Sequence, residues 1–345
     1  MTSADSNPGR KHVAVLAGGF SAEREISIQS ASEVVANLAA SEFEVTLVRI
    51  DRDAWTAEVN GADIEVNRGD FSIEVEGQSR PFDAAFIAVH GTPGEDGLLP
   101  AYLELLGIPH TTCGPLAAAA TFHKAMCKEL IRDLDVGLAK SVTVKKGDAA
   151  PEHLVYPVFV KPNQNGSSCG IFLAHDLAEL KEAMEKSFEF DSELILEERI
   201  QGTEVTCGVW QREGRVETLP LTEIVSGENH EFFDYSAKYT AGEAQEITPA
   251  RISDEQRDRC WALSRAIYEK LGLQGLIRVD YIMSGEEFFF LEVNTVPGMS
   301  GASIAPKMAL AAGFSLTEFY ANMVREALAQ AESRKSNAFS PDHQA

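Results

Sequence analysis

The sequence predicts an α/β protein whose first third is built around a parallel sheet. Apolar segments alternate with helical patterns: His12–Ala17 predicts a strand, 22–38 a helix and Glu44–Ile50 a second strand. A strand–helix–strand order favours parallel pairing, because parallel strands need a crossover connection. Ligand-binding groups of such sheets collect at the carboxyl ends of strands, where this chain has Gly18-Gly19 and His90-Gly91.

The first third also contains a predicted hairpin, a third strand and a second helix. Turn residues flank a segment of alternating polarity and predict a hairpin at 67–81. The apolar run Ala84–Val89 predicts the third strand. A helical pattern over Leu98–Leu106 ends at Gly107, a residue typical of helix C-termini.

In the middle third, helices are predicted at Phe122–Leu134 and Leu177–Lys186. Strands are predicted at Val158–Lys161, from Ile171 onward and at Leu194–Glu198. A loop rich in glycine and serine, Asn163–Gly170, joins the first two strands. Its backbone N–H groups could approach phosphate oxygens closely. It lacks the Walker A pattern, so the residues alone leave two interpretations open, a phosphate-binding loop and a mobile turn.

The last third begins with a capped helix and ends in a hairpin. Ser253 and Gln256 have the spacing of a capping box, and apolar residues follow at helical intervals until Gly272. Two apolar strands, Leu276–Met283 and Phe288–Asn294, then flank a short turn.

Polar residues alternate with apolar ones along this hairpin and predict a binding face. Arg278 and Asp280 share one face of the first strand, and Glu292 and Asn294 share a face of the second with Phe290. The four polar groups meet only if the turn has an odd number of residues or a strand carries a bulge. An oxygen-only set of ligands suits Mg²⁺. The alternative is a solvated face with an Arg–Asp ion pair.

Four further loops carry polar residues that suggest a site. These are Gly18–Ser21, His90–Gly97, the long aperiodic stretch 226–248 and the turn Asn294–Gly298. Long loops in compact domains often cover binding sites, and a backbone N–H such as that of Gly298 can stabilise an oxyanion. Plain turns or surface insertions remain the alternatives.

Composition excludes several functions. The 345 residues carry 53 acidic against 30 basic side chains, a net charge of −23. Nucleic acid and anionic membranes both need a basic surface, so neither is an expected partner. No apolar run approaches the ~20 residues of a membrane span, and residues 1–11 show no signal-peptide core. Five widely spaced cysteines indicate a reducing cytoplasm.

Seven segments carry a resemblance, and their order along the chain makes it specific: Gly18–Ser27, His90–Gly97, Val160–Pro162, Gly166–Gly170, Asp234–Tyr239, Arg278–Asp280 and Leu291–Met299. In these motifs the sequence resembles the D-alanine–D-alanine ligases of the ATP-grasp superfamily, from about His12 to Leu328. The resemblance implies an enzyme of peptidoglycan precursor synthesis that converts two D-alanines and ATP into D-alanyl-D-alanine, ADP and phosphate. It also implies a homodimer.

The resemblance implies an N-terminal α/β domain followed by an ATP-grasp fold of two α+β domains. The expected boundaries are 1–121 for the N-terminal substrate-binding domain, 122–211 for the central domain, 212–330 for the C-terminal domain with its lid at 226–248, and 331–345 for a loose tail.

The resemblance further implies the residues that bind ATP and metal. Those for ATP are Lys124, Lys161 and Lys238 at the phosphates, Ser168 in the glycine-rich loop, Glu197 and Ile200 beside the adenine, and Glu204 at the ribose. Two Mg²⁺ ions, with Mn²⁺ as an alternative, would be held by Asp280, Glu292 and Asn294. Such ions neutralise the charge that develops in phosphoryl transfer.

The implied substrate residues surround the two D-alanines. Glu23 would bind the ammonium of the first D-alanine, and Ser303 would bind the carboxylate of the second. Arg278 would bind the acyl phosphate, and the Gly298 N–H would stabilise the tetrahedral oxyanion. Ser167 and Tyr239 would hydrogen-bond with Glu23 and close the lid, and His90 and Glu95 would line the substrate site. Guanidinium groups suit acyl phosphates because they bind oxyanions bidentately.

Departures from the family pattern concern the substrate pocket. Phe122-His-Lys124 stands where Met-Asp-Lys is common, and His90-Gly-Thr-Pro where His-Gly-Arg-Gly is common.

Three alternative functions stay open: a ligase that joins D-alanine to D-lactate, a ligase for another amino acid, and a nucleotide-binding module without catalysis. The lid tyrosine, Tyr239, favours the dipeptide, because the lactate-using branch typically lacks it. The complete set of Arg278 and the three metal ligands argues against a non-catalytic module.

Overall fold

Three sheets and their helices make up the fold. A computed structural model describes residues 9–166, 169–226 and 244–338 of the chain. Within these residues the helices are α1 Arg24–Leu38, α2 Leu98–Leu105, α3 Pro115–Phe122, α4 Lys124–Leu130, α5 Leu177–Ser187, α6 Asp254–Lys270, α7 Ile304–Ala311 and α8 Leu316–Ala338.

The first sheet contains seven strands: β1 His12–Gly18, β2 Glu44–Ile50, β3 Trp55–Val59, β4 Ala62–Asn67, β5 Ser72–Val75, β6 Gln78–Pro81 and β7 Ala84–Ile87. Their order is β6-β5-β4-β3-β2-β1-β7. Strand β1 is parallel to β2 and β7, which confirms the predicted parallel core. The remaining pairs are antiparallel, so the sheet is mixed.

The antiparallel extension consists of two hairpins, of which the sequence predicted one. Strands β5 and β6 form the predicted hairpin. Strands β3 and β4 were not predicted. They meet at Asn60-Gly61, where both residues have positive φ, 53° and 78°. An Asn-Gly turn of this conformation matches the twist of the strands that it joins.

The second sheet is antiparallel and has the order β11-β10-β12-β9. Its strands are β9 Ser141–Lys145, β10 Val158–Pro162, β11 Phe172–Ala174 and β12 Glu193–Glu198. Helix α5 packs on one face of this sheet, where its Leu180 forms an apolar cluster with Val160 of β10 and Leu196 of β12. This cluster contains only residues of the central part of the chain.

The helix predicted at Phe122–Leu134 is present but shorter: α4 spans Lys124–Leu130, and a separate helix, α3, ends at Phe122, with His123 between them. The backbone of His123 is extended, with φ −92° and ψ 97°. Its ring Nδ1 accepts a hydrogen bond from the Met126 N–H at 3.2 Å and so caps α4. Asn163 Oδ1 is a second acceptor at the α4 N-terminus and receives a hydrogen bond from the Ala125 N–H at 2.9 Å. The first turn of α4 is thus satisfied from outside the helix.

The third sheet contains β8 Gly137–Leu138, β13 Thr203–Arg212, β14 Arg215–Thr218, β15 Thr222–Ser226, β16 Ala244–Ile247, β17 Ile277–Ser284 and β18 Glu287–Asn294. The order is β16-β15-β13-β17-β18-β8, and β14 pairs with β13. Helix α6 covers one face and begins with the predicted capping box at Ser253 and Gln256.

The β17–β18 hairpin has the bulge that the site hypothesis required. Its turn, Gly285-Glu286, has two residues, and the register shifts between Asp280 and Tyr281. Leu291 is therefore the extra residue, and Asp280 lies opposite Glu292. The shift also corrects the placement of Phe290, which pairs with Tyr281 and packs in the apolar core behind the sheet.

The sheets do not follow the expected domain boundaries in three places. Strand β8, Gly137–Leu138, belongs to the third sheet although it lies within the expected central range 122–211. Strand β13 begins at Thr203 and already belongs to the third sheet, before the boundary expected at 211. The loose tail expected from residue 331 is wrong for residues 331–338, because they continue α8. The apolar residues of α8, among them Phe319 and Val324, are buried in a core that the first and third sheets share.

Within the described ranges, no helix combines the length and the apolar character needed to cross a lipid bilayer.

Candidate active site

A cleft of about 730 Å³ is lined by residues of the second and third sheets, of the N-terminal half of α1, and of the loops after β7 and β18. Every predicted site residue that the structure describes lines it: Glu23, His90, Glu95, Lys124, Lys161, Glu197, Ile200, Glu204, Arg278, Asp280, Glu292, Asn294, Gly298 and Ser303. Ser167, Ser168, Lys238, Tyr239 and positions 227–243 of the expected lid lie outside the described residues.

The floor of the cleft is the polar face of the β17–β18 hairpin. Arg278 donates to both carboxylate oxygens of Asp280, each at 2.8 Å, and Asn294 Nδ2 donates to Asp280 at 2.9 Å. Burial lowers the pKa of Arg278, but the Asp280 carboxylate outweighs it, and the net shift is upward. The guanidinium is therefore a fixed positive charge beside two carboxylates.

Lys124 connects this face to the central sheet. Its Nζ lies 3.5 Å from a carboxylate oxygen of Glu292 and donates to the carbonyl of Asn165 at 2.6 Å. The side chain is nine-tenths buried, so its charge is only weakly screened by water. A cation in this place would attract an anionic ligand that enters between the two sheets.

A second cluster of charges, formed by Glu197, Lys161 and Lys128, lies on the central sheet beside α4. The buried carboxylate of Glu197 accepts from Lys161 at 2.5 Å and from Lys128. Burial alone would raise the pKa of Glu197, but the two ammonium groups lower it to about 2. The Glu197 side chain is thus directed at two lysines, and its predicted contact with adenine stays a prediction.

Lys128 is the member of this cluster that sequence reasoning missed. Its Nζ donates to the Ala139 carbonyl at 2.7 Å and to Ser141 Oγ at 3.1 Å, besides Glu197. These three acceptors saturate the three donors of an ammonium group. The available signal was its spacing, one helical turn after Lys124 on α4, which places both lysines on one face.

His90 and Glu95 join the loop after β7 to the turn after β18. The pKa of His90 is lowered chiefly by burial, and its Nδ1 lies 2.8 Å from the Val296 carbonyl. Glu95 accepts from the N–H of Gly91 at 2.7 Å and from that of Val296 at 3.2 Å. Burial, with Glu23 and Glu292 adding to it, raises the pKa of Glu95 to about 8.

Two glycines bring backbone close to Glu23 and Ser303, for which the sequence predicts substrate contacts. A Cβ atom on Gly166 would lie 2.5 Å from a carboxylate oxygen of Glu23, and one on Gly298 would lie 2.7 Å from Ser303 Oγ. A larger residue at either position would require the neighbouring side chain to shift. The missing side chain at 166 thus lets the glycine-rich loop approach Glu23, and the one at 298 lets the turn after β18 approach Ser303.

The ligands at the hairpin are compatible with Mg²⁺. Among the described residues, no three His, Cys, Asp or Glu side chains come together as a metal site. The hairpin offers two carboxylates on directly opposed residues, Asp280 and Glu292, together with the amide of Asn294. Such an oxygen-only set leaves coordination positions for water and phosphate, as Mg²⁺ prefers.

Replacement of Lys128 by Met should destabilise the protein by about 3 kcal/mol at pH 7, because Glu197 stays buried with one cation fewer. The folded-state pKa of Glu197, about 2, lies below its ordinary 4.5, so the pairing stabilises the fold above pH 4.5. The deficit of K128M should therefore shrink as the pH falls toward 2. Denaturant unfolding of both proteins across this range measures it.

Lys186→Met is the control for this prediction, because Lys186 forms an exposed ion pair with Glu182. Exposed pairs contribute little, so K186M should unfold like the parent protein. A K128M variant that matches K186M, or that has the same deficit at every pH, would contradict the assigned role of the cluster.

Two family models match most of the chain. A family model described as D-ala D-ala ligase N-terminus matches residues 12–113, and one described as D-ala D-ala ligase C-terminus matches residues 135–325. A D-alanine–D-alanine ligase of Azobacteroides pseudotrichonymphae is 40% identical over 322 residues, which cover 91% of this chain and 99% of that protein.

Solved structures share the fold. The VanG D-Ala:D-Ser ligase from Enterococcus faecalis has a TM-score of 0.79 and 32% identity, covering 92% of this chain and 99% of that one. The D-alanine–D-alanine ligase from Bacillus anthracis complexed with ATP has a TM-score of 0.76 and 28% identity, covering 94% and 99%. The chain thus belongs to the D-alanine–D-alanine ligase family.

Proposed function

We propose that this protein uses ATP to join two D-alanine molecules into D-alanyl-D-alanine, a precursor of peptidoglycan, in the cytoplasm. The observation that carries the proposal is the single cleft in which an arginine–carboxylate hairpin, buried lysines and the polar loops of the N-terminal domain face one another. Family membership supports the same reaction. The enzyme is expected to act as a homodimer, on the basis of the resemblance alone.

ATP would lie between the central and third sheets. Lys124 and Lys161 line this part of the cleft and would hold the phosphates as point charges. Within the described part of the chain, the Lys161 ammonium donates to one acceptor, Glu197, so further donors remain for phosphate oxygens. Ile200, on the connection from β12 to β13, would contact the adenine, and Glu204, near the start of β13, would contact the ribose.

Asp280, Glu292 and Asn294 would hold two Mg²⁺ ions. When bound, these ions supply charge neutralisation for the γ-phosphoryl group. The protein's own contribution is to present two carboxylates and an amide on one rigid hairpin face, with Lys124 beside Glu292.

The first chemical step would be attack of one D-alanine carboxylate on the γ-phosphorus of ATP, which yields an acyl phosphate and ADP. Arg278 suits the acyl phosphate, because Asp280 fixes the plane of its guanidinium. Glu23 lies at the entrance to α1, where the glycine-rich loop meets it, and would bind the ammonium of this first substrate.

The second step would be attack of the second D-alanine amine on the acyl carbon, followed by loss of phosphate. Ser303 precedes α7 and would bind the carboxylate of this substrate, and the Gly298 N–H would stabilise the tetrahedral oxyanion. Ser167, Ser168, Lys238 and Tyr239 keep the roles that the resemblance implies.

The purified protein with ATP and Mg²⁺ should release phosphate with D-alanine as the only amino acid, with one dipeptide formed per phosphate. L-alanine and D-lactate should not replace it. Because the VanG relative is a D-Ala:D-Ser ligase, the mixture of D-alanine and D-serine is the second candidate and belongs in the same assay. Release that requires D-serine, D-lactate or another amino acid would reassign the second substrate.

Arg278→Ala should abolish turnover while ATP binding changes little, because Arg278 is assigned to the acyl phosphate and not to the nucleotide. Isothermal titration with a non-hydrolysable ATP analogue and the phosphate assay separate the two effects. The matched control is Arg212→Ala, since Arg212 makes the same two-oxygen pairing with Glu217 on the third sheet but does not line the cleft. Normal turnover in R278A would remove Arg278 from the mechanism.

A further inference from the structure

The turn after β18 is held almost entirely by side chains from elsewhere in the fold. Five backbone groups of residues 295–299 are bonded in this way: the Thr295 carbonyl to Thr112 Oγ1 at 2.8 Å, the Val296 N–H to Glu95, the Val296 carbonyl to His90, the Met299 N–H to Ser30 Oγ at 3.2 Å, and the Met299 carbonyl to the Tyr320 hydroxyl at 2.8 Å. Four of the five side chains belong to the N-terminal part of the chain.

These bonds surround the proposed oxyanion donor without using it. The Gly298 N–H is not among the five bonded groups, and it lies between two residues that are fixed, Val296 and Met299. Pro297 stiffens the same stretch because its ring restricts φ. The direction of the Gly298 N–H therefore depends on anchors to either side of it, and Ser30 is the anchor nearest on its C-terminal side.

Ser30 makes two contacts that together allow one arrangement of protons. The His90 Nδ1 faces a carbonyl oxygen and must carry its proton there, so Nε2 is an acceptor in the neutral ring. Ser30 Oγ lies 3.1 Å from Nε2 and must donate to it. The lone pairs of the same oxygen then accept from the Met299 N–H. Burial, which lowers the pKa of His90, favours this neutral form.

We propose that Ser30 is a positioning residue for the second half of the reaction. It would couple the orientation of His90 to the backbone at Met299, and so hold the Gly298 N–H toward the oxyanion that forms when the amine attacks the acyl phosphate. Ser30 touches neither substrate in this proposal, which rests on the proposed ligase function. Oxyanion donors act only when they are aimed at the place where charge develops.

The expected signature is loss of coupling between phosphate release and dipeptide formation. In Ser30→Ala the acyl phosphate would still form, but its capture by the amine would slow, and water would hydrolyse a larger share to D-alanine and phosphate. We expect kcat for dipeptide to fall by about 10- to 100-fold, with KM for ATP unchanged and more than one phosphate released per dipeptide. The assay measures phosphate and D-alanyl-D-alanine in the same reaction.

Ser27→Ala is the matched control. Ser27 is as fully buried as Ser30 and lies one turn earlier on α1, where its Oγ donates to the Ala88 carbonyl at 2.7 Å and accepts from the Gly18 N–H at 2.9 Å. Loss of either hydroxyl should destabilise the fold to a similar degree. Only S30A should change the ratio of phosphate to dipeptide.

Ser30→Cys is a second variant, needed if S30A does not fold, because a thiol is a weaker donor of similar shape. We expect an intermediate phosphate excess in S30C. A ratio of one in the folded variant, or the same ratio in S27A, would overturn the positioning role. Failure of the parent protein to form any dipeptide would instead overturn the proposed function, so the two failures are distinguishable.

Discussion

The bulge at Leu291 is the constraint on which the chemistry of this protein depends. The turn of the β17–β18 hairpin has two residues, and with that turn an unbroken ladder would place Glu292 and Asn294 on the face opposite Asp280. One extra residue in β18 reverses the face of everything after it while Phe288 and Phe290 stay in the core. Two of the three proposed metal ligands, Glu292 and Asn294, and the turn that contains Gly298 follow the bulge, so a local irregularity of one strand sets the position of this end of the cleft.

The net negative charge of the chain excludes large anionic partners but not small ones. A net charge of −23 excludes partners that need an extended basic surface, but it does not exclude a small polyanion. Three cations that line the cleft, Lys124, Lys161 and Arg278, have side chains at most 17% exposed and are paired with carboxylates. Buried ion pairs are worth little to stability when compared with apolar packing. Their placement is better explained by the need for positive charge at a fixed point.

Sequence reasoning found the parallel core, the capped helix, the hairpin and its polar face, because each depends on local pattern. The family resemblance added the cleft residues, and every one that the structure describes lies in the same cleft. The errors arose where distant contacts decide. The helix predicted at 122–134 begins later than expected, because the His123 ring caps α4 and Asn163 supplies another acceptor. Lys128 and Ser30 contact partners that are distant in sequence, Glu197 and Met299. The β3–β4 hairpin was an oversight, since its Asn60-Gly61 turn was visible.

The shared core of the first and third sheets has a consequence for how the molecule unfolds. Residues of β1, α1, β13, α7 and α8 contribute to one apolar cluster, whereas the central sheet and α5 have a cluster of their own. Neither outer sheet can melt without exposing apolar surface of the other. The first and third sheets are therefore a single cooperative unit of folding, and the central sheet with α5 is the part whose core could open alone while the rest persists.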